Sequence, residues 1–154
     1  MPRDDDAEIY EKHAEELVGF ATGLVGPSDA ADVVSEAVLR CLRSRAWPTV
    51  REPRAYLYRA VLSEARQHHR TTMRRRAREA RAASVDSVQA VDVDPTILDA
   101  VSGLSIRQRA VIVLAYWQDL TPGEIATMLG IGEGSVRRHL ARARARLREV
   151  LHGD

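Results

Sequence analysis

Apolar residues recur along this chain with a helical period and almost never alternate, which predicts helices and no strand. Residues 5–24 place Tyr10, Ala14, Leu17, Ala21 and Leu24 on one face of a first helix. Gly26-Pro27 breaks that pattern. Ser28 is the expected N-cap of a second helix, with Asp29 and Asp32 near its positive end. Val33, Val34, Ala37, Val38, Cys41 and Leu42 then point inward. A loop containing Trp47 and Pro48 spans 45–52. Pro53 suits the first position of a third helix, where the N–H it lacks would have no partner anyway. The apolar face of that helix, Leu57, Tyr58, Val61, Leu62 and Ala65, fades into an arginine run after His69.

Residues 82–94, AASVDSVQAVDVD, are small, mildly acidic and without helical period, as expected of a flexible linker. Helical pattern restarts at Asp94-Pro95, with Ile97, Leu98 and Val101 inward. Ser105 and Gln108 form a capping box for a helix that buries Val111, Leu114 and Ala115 or their neighbours. Thr121-Pro122-Gly123-Glu124 is a second helix start, with Ile125, Ala126 and Leu129 facing in. Gly130-Ile131-Gly132 is a tight turn before a last helix over 133–151 with a stripe of Val136, Leu140, Ala143, Leu147 and Val150. The predicted fold is all-α, with two small helical domains, 5–81 and 95–151, joined by the linker at 82–94.

Composition narrows the functional classes. Aromatics at 5% are too few for a large β-sandwich core. No apolar run approaches the ~18 residues of a membrane span, and the acidic N-terminus has no secretory h-region, so a cytoplasmic location is expected. The single cysteine, Cys41, falls on an apolar stripe and is expected to be a buried structural thiol. The formal net charge of +1 conceals segregation. Seven arginines lie in 66–81 and six in 137–148, whereas the first sixteen residues carry seven acids. Segregated charge of this kind calls for an anionic partner. An enzyme is not expected. His68-His69 lacks further ligands at metal-binding spacing, and no glycine loop follows a strand, so neither a metal nor a cofactor is implied.

Residues 121–140 have the length and turn of a helix-turn-helix. Its second helix would enter a major groove by its N-terminal end, where Gly132, Glu133, Gly134 and Ser135 stand. The inward stripe leaves Arg137 and Arg138 outward, able to hydrogen-bond guanine in bidentate fashion. Arg142, with Arg144, Arg146 and Arg148 further along, suits phosphate contacts. The competing structural explanation is a solvated arginine face on an ordinary helical hairpin.

At this point the chain resembles a family. LSIRQRAVIVLAYWQDLTPGEIATMLGIGEGSVRRHLARARARLREVL, residues 104–151, resembles region 4 of extracytoplasmic-function sigma factors, through Gln108-Arg109, Glu124-Ile125-Ala126, Leu129-Gly130 and Glu133-Gly134-Ser135-Val136. Residues 9–44 resemble regions 2.1 and 2.2 through Asp29, Asp32, Val34, Glu36, Leu39 and Arg40, and residues 53–76 resemble regions 2.3 and 2.4 through Pro53 to Arg59. Ser35, Val38, Leu62 and Ser63 stand where the family usually has glutamine, phenylalanine and an arginine-asparagine pair. The resemblance implies that the second helix, with Asp32, Glu36, Arg40 and Arg43, meets the clamp of RNA polymerase core, and that core (clamp and flap) and promoter DNA are the partners. It implies a −10 element reader in the third helix and the preceding loop, where Trp47, Tyr56, Arg59, Ser63, Arg66, His68, His69 and Arg70 are candidates for base stacking and phosphate contacts. Packing is the competing role for Trp47 and Tyr56. The last helix would read the −35 element. An anti-sigma factor is a further partner of many members. Two alternatives remain open: a LuxR-type regulator, which shares the Val136-Arg137-Arg138-His139-Leu140 pattern, and a degenerate sigma-like interaction protein that does not initiate.

Overall fold

A computed structural model of the chain describes residues 5–82 and 103–152. Among these, six α-helices and one 3-10 turn follow one another: α1 (Asp6–Val25), α2 (Pro27–Arg43), the 3-10 turn (Trp47–Thr49), α3 (Pro53–Ala82), α4 (Ile106–Tyr116), α5 (Pro122–Leu129) and α6 (Glu133–His152). There is no strand among the described residues, and no helix there is long and apolar enough to cross a membrane. The expected linker from 83 onward, and the restart at Asp94-Pro95 with Ile97, Leu98 and Val101, lie outside them.

Two local expectations change. Gly26, not Ser28, caps α2: at φ 90 its backbone turns the chain within one residue, and its N–H still bonds Thr22 O at 2.9 Å. Pro27 then starts the helix without needing a donor. The buried face of α1 is His13, Leu17, Phe20, Ala21 and Leu24, while Tyr10 sits at the rim, 42% exposed. At 100° per residue Tyr10 lies only about 20° around the helix from Leu17, but it borders an open hollow lined by Val38, Leu42, Trp47 and Leu57 that leaves it partly uncovered. α3 continues past the point where its apolar face fades, in keeping with the expected helical domain to 81. It runs for 30 residues, to Ala82, because arginine, alanine, glutamate and methionine all favour helix without a core to pack on.

α1, α2 and α3 form an N-terminal three-helix unit around Leu17, Phe20, Trp47, Tyr58 and Val61, all fully buried. α4, α5 and α6 form a C-terminal unit around Val111, Leu114, Ile125 and Val136. The two units are packed on each other, and their buried residues make one contiguous core. The seam is close. A Cβ on Gly19 would lie 2.0 Å from the Trp117 ring, and one on Gly23 would lie 2.5 Å from a methyl of Val113. Only glycine lets α1 and α4 approach this far. Polar bonds finish the seam. The Arg109 guanidinium donates to Leu24 O at 2.8 Å, and the Gln118 amide donates to the Tyr58 hydroxyl at 3.1 Å.

Candidate nucleic-acid interface

The helix-turn-helix is built locally. Thr121 Oγ1 accepts from the Glu124 N–H at 3.2 Å, and Glu124 Oε1 accepts from the Thr121 N–H at 3.0 Å. Those hydrogen bonds hold the Glu124 carboxyl below its ordinary range. α5 ends on Gly130 in the left-handed region, φ 68, with its N–H on Ala126 O at 2.9 Å. The same kind of box caps α4, between Ser105 and Gln108. Val136, Leu140 and Ala143 anchor α6 to the core, with Leu147 and Val150 half-buried further along. Gly132, Glu133 and Gly134 lie exposed at its start, Ser135 is half-buried, and Arg137, Arg138 and Arg142 are exposed. Arg137 leans on Glu133 at 2.7 Å, one turn back on the same helix, a contact that water screens heavily. Arg138 and Arg142 have no partner among the described residues. The arginines beyond them are less free. The Arg144 guanidinium donates to the Tyr116 hydroxyl at 2.7 Å and lies over its ring, Arg146 reaches Glu149 at 3.9 Å, and Arg148 leans on the Arg144 carbonyl at 3.4 Å.

On the N-terminal unit, Asp32, Glu36 and Arg43 are exposed along one face of α2. Arg40 shares that face but pairs with Glu64 of α3, a nearly buried carboxylate. Its loss would strand a charge in the core, so Arg40 has a structural role whatever else it does. Cys41 is buried behind it, and burial pushes its thiol up to about 11, as an inert structural cysteine requires.

The −10 candidates separate into three groups. Trp47 is 1% exposed, and its indole N–H donates to Asp6 Oδ1 at 2.7 Å. Its ring is core, so packing, not base stacking, is its role in this structure. Tyr56 is half-buried against Trp47, rings 5.7 Å apart, with its hydroxyl donating to Ser44 Oγ at 3.1 Å. Ser63 lies with Arg40, Ser44, Tyr56 and Arg59 around an open hollow of about 440 Å³. Arg59 crosses the seam: its Nε donates to Met128 O at 3.2 Å and a terminal nitrogen donates to Thr127 O at 2.9 Å. It thereby caps the C-terminal end of α5, where cations are favoured. Arg66, His69 and Arg70 face the C-terminal unit across a cleft shared with Ser105, Arg107 and His139. His68 turns the other way, to Asp29 Oδ2 at 3.1 Å. Burial first, then Arg109, Arg76 and His68, push the His69 imidazole below its ordinary value. The seam residues Gly19, Gly23, Arg109 and Trp117 carry no motif that marks them as such in the sequence.

No group of His, Cys, Asp and Glu among the described residues is placed to hold a metal ion. Residues 9–75 match the family described as Sigma-70 region 2, and residues 96–147 match Sigma-70 region 4. The RNA polymerase sigma-E factor of Streptomyces antibioticus is 31% identical over 94% of this chain and 83% of its own length. The ECF RNA polymerase sigma factor SigL of Mycobacterium tuberculosis is 32% identical over 93% of this chain and 86% of its own length. Among solved structures, CnrH in complex with the cytosolic domain of CnrY is similar with a TM-score of 0.66 and 24% identity, covering 97% of this chain and 88% of that one. The sigma factor RpoE of Bartonella quintana, in complex with the anti-sigma factor NepR, gives 0.60 and 22%, over 97% and 98%. These likenesses show the same all-α, two-unit architecture.

Proposed function

The chain belongs to the extracytoplasmic-function branch of the sigma-70 family, and from that premise we propose how its residues divide the work of directing RNA polymerase to a promoter. The match of residues 9–75 to region 2 removes the LuxR alternative, whose N-terminal half would be a receiver or ligand domain. The family's role is that of a transcription initiation factor, with polymerase core and promoter DNA as partners and the polymerase supplying the chemistry.

The observation that carries the residue assignment is the capped helix-turn-helix that holds Arg138 and Arg142 outward and unpaired on α6. We assign the −35 element to Gly132 through Arg138, with Arg137 and Arg138 nearest the bases and Arg142 on phosphate. Arg137 must exchange its water-screened contact with Glu133 for a base, at little cost. The −10 element falls to Tyr56, Arg59, Ser63, Arg66, His69 and Arg70 on one side of α3. The clamp falls to Asp32, Glu36 and Arg43 on the outer face of α2, and the flap to the C-terminal unit. Residues 5–81 and 95–151 are thus the two working domains, acting in the cytoplasm with the polymerase. An anti-sigma factor, of the kind seen with RpoE, has a fitting place in the groove of about 720 Å³ between Arg54, Tyr56 and Arg59 on one wall and Glu124, Thr127 and Met128 on the other.

Run-off transcription with purified core polymerase on genomic fragments tests the whole assignment. A defined transcript is expected, lost with Asp32→Arg/Glu36→Arg in parallel with polymerase binding. Tight polymerase binding without any transcript would identify a sigma-like interaction protein instead. Loss of helix stability with polymerase affinity intact would reduce Asp32 and Glu36 to supports of the α2 dipole.

A further inference from the structure

The cleft between α3 and the C-terminal unit collects cations that no acid among the described residues neutralises. It measures about 260 Å³, and its walls are Arg66, His69 and Arg70 from α3, Ser105 and Arg107 at the start of α4, and His139 from α6. Elsewhere the fold gives its inter-helix arginines a partner: Arg54 has Glu16 at 2.6 Å, Arg40 has Glu64, and Arg59 has two carbonyls. Here, among the described residues, no acid pairs with Arg66, Arg70 or Arg107. The consequence is mutual repulsion. Burial, then Arg107 and Arg70, weaken the hold of Arg66 on its proton. Burial, then Arg107, Arg142 and Arg138, push His139 below its ordinary value, and its Nδ1 is buried without a hydrogen-bond partner. Like charges brought together by two packed units raise the free energy of that packing unless an anion joins them.

We propose that this cleft binds a small polyphosphate, inorganic or as the phosphate chain of a nucleotide, which bridges Arg66 and Arg70 of the N-terminal unit to Arg107 and His139 of the C-terminal one. Guanidinium forks match phosphate oxygens in pairs, and three arginines from two sides ask for a multivalent anion rather than chloride. At about 30 Å³ per water the cleft holds roughly eight or nine waters, room for a short phosphate chain but not for a nucleoside, which would project from the open mouth. Ser105 Oγ, already accepting from the Gln108 N–H, can still donate its own proton to a phosphate oxygen. Arg66 and Arg70 are also −10 candidates, so the bound anion withdraws them from promoter DNA while it holds the units together. Arg107, Ser105 and His139 are outside the promoter assignment and mark the site as distinct from it.

Isothermal titration of the full chain with sodium tripolyphosphate and with ATP, both at one fixed ionic strength and without magnesium, is the test. One molecule per chain is expected, with Arg107→Gln and His139→Gln each lowering affinity by about tenfold, the scale of one charged hydrogen bond. Arg107 is exposed, so its variant threatens no packing, and circular dichroism checks that both fold. Arg74→Gln/Arg75→Gln/Arg78→Gln, on the solvent-exposed far end of α3, should leave affinity within a factor of about two. Equal affinity for the two ligands would assign recognition to the phosphate chain alone, and tighter ATP would add a nucleoside contact; either supports the site. Failure of both to bind would overturn it, as would equal displacement by sulfate at matched ionic strength. So would a triple variant as impaired as Arg107→Gln, since binding would then be diffuse attraction to arginine-rich helices.

Discussion

Three arginines of the N-terminal unit and three at the start of α6 are used in opposite ways. In the N-terminal unit the conspicuous arginines are spent inside the protein: Arg40 on Glu64, Arg54 on Glu16, and Arg59 on the carbonyls of Thr127 and Met128. On α6, Arg138 and Arg142 are exposed and have no partner among the described residues, and Arg137 is held by a surface contact with Glu133. The face proposed for the −35 element is therefore exposed as the protein stands. The face proposed for the −10 element borders the other unit, because Arg59, Arg66, His69 and Arg70 all line the seam or its cleft. On the proposed assignment, reading the −10 element requires the units to part, whereas reading the −35 element does not.

The sharpest way to break this contrast is at Gly19. Gly19→Val would put a branched side chain where a Cβ alone comes within 2.0 Å of the Trp117 ring. Overpacking of this kind costs about 1–3 kcal/mol, which displaces the packed–parted equilibrium roughly 5- to 150-fold. Small-angle scattering should show a larger radius of gyration with unchanged helicity, and affinity for single-stranded −10 DNA should rise while −35 affinity stays constant. An unchanged radius would mean that the seam does not control the −10 face.

Arg138 and Arg142 sharpen the other side. Arg138→Ala should cost about 1–3 kcal/mol on the preferred −35 sequence and relax selectivity at one base pair. Arg142→Ala should weaken every duplex alike and reduce the salt slope by about one. Binding curves on a set of −35 variants at several salt concentrations separate the two. Base preference surviving the loss of both Arg137 and Arg138 would remove α6 as the reader.

Thr121→Ala tests whether the reading helix depends on its neighbour's cap. Losing the cap should cost about 1 kcal/mol of stability in the C-terminal unit, seen in urea denaturation and recovered by Thr121→Ser.

The smallest expected effect is that of pH on the seam. His69 and His139 both lie below the ordinary 6.5 in the packed arrangement. His69 faces Arg109, Arg76 and His68, and His139 faces Arg107, Arg142 and Arg138; none of these is an acid. Packing therefore favours the neutral imidazoles. Its contribution is whole above about pH 6.5 and declines as pH falls through that value, because parted histidines take up protons more readily. A radius of gyration that grows from pH 7.5 to 5.5 is expected, and one that shrinks would reverse the sign.

The sequence by itself determined whatever depends on neighbours within a turn or two of chain. The boxes at Ser105–Gln108 and Thr121–Glu124 are local hydrogen bonds, so their residue types announce them. The outward set of Arg137, Arg138 and Arg142 follows from the buried spacing of Val136, Leu140 and Ala143. The face of α3 through Leu57, Tyr58, Val61, Leu62 and Ala65 was legible for the same reason, though not the length of that helix, since arginine-rich sequence continues a helix without leaving an apolar stripe. What only the tertiary structure decided is every role set by a partner far along the chain. Trp47 is core because the helices close around its ring, with Asp6, 41 residues away, receiving its N–H. Arg59 became a cap for α5 through carbonyls 68 and 69 residues on. Gly19 and Gly23, unremarkable in a helix, became the floor on which Trp117 and Val113 rest. A side chain's period says which way it points. What stands opposite depends on how the helices come together, and the local pattern of one helix carries no record of its neighbour.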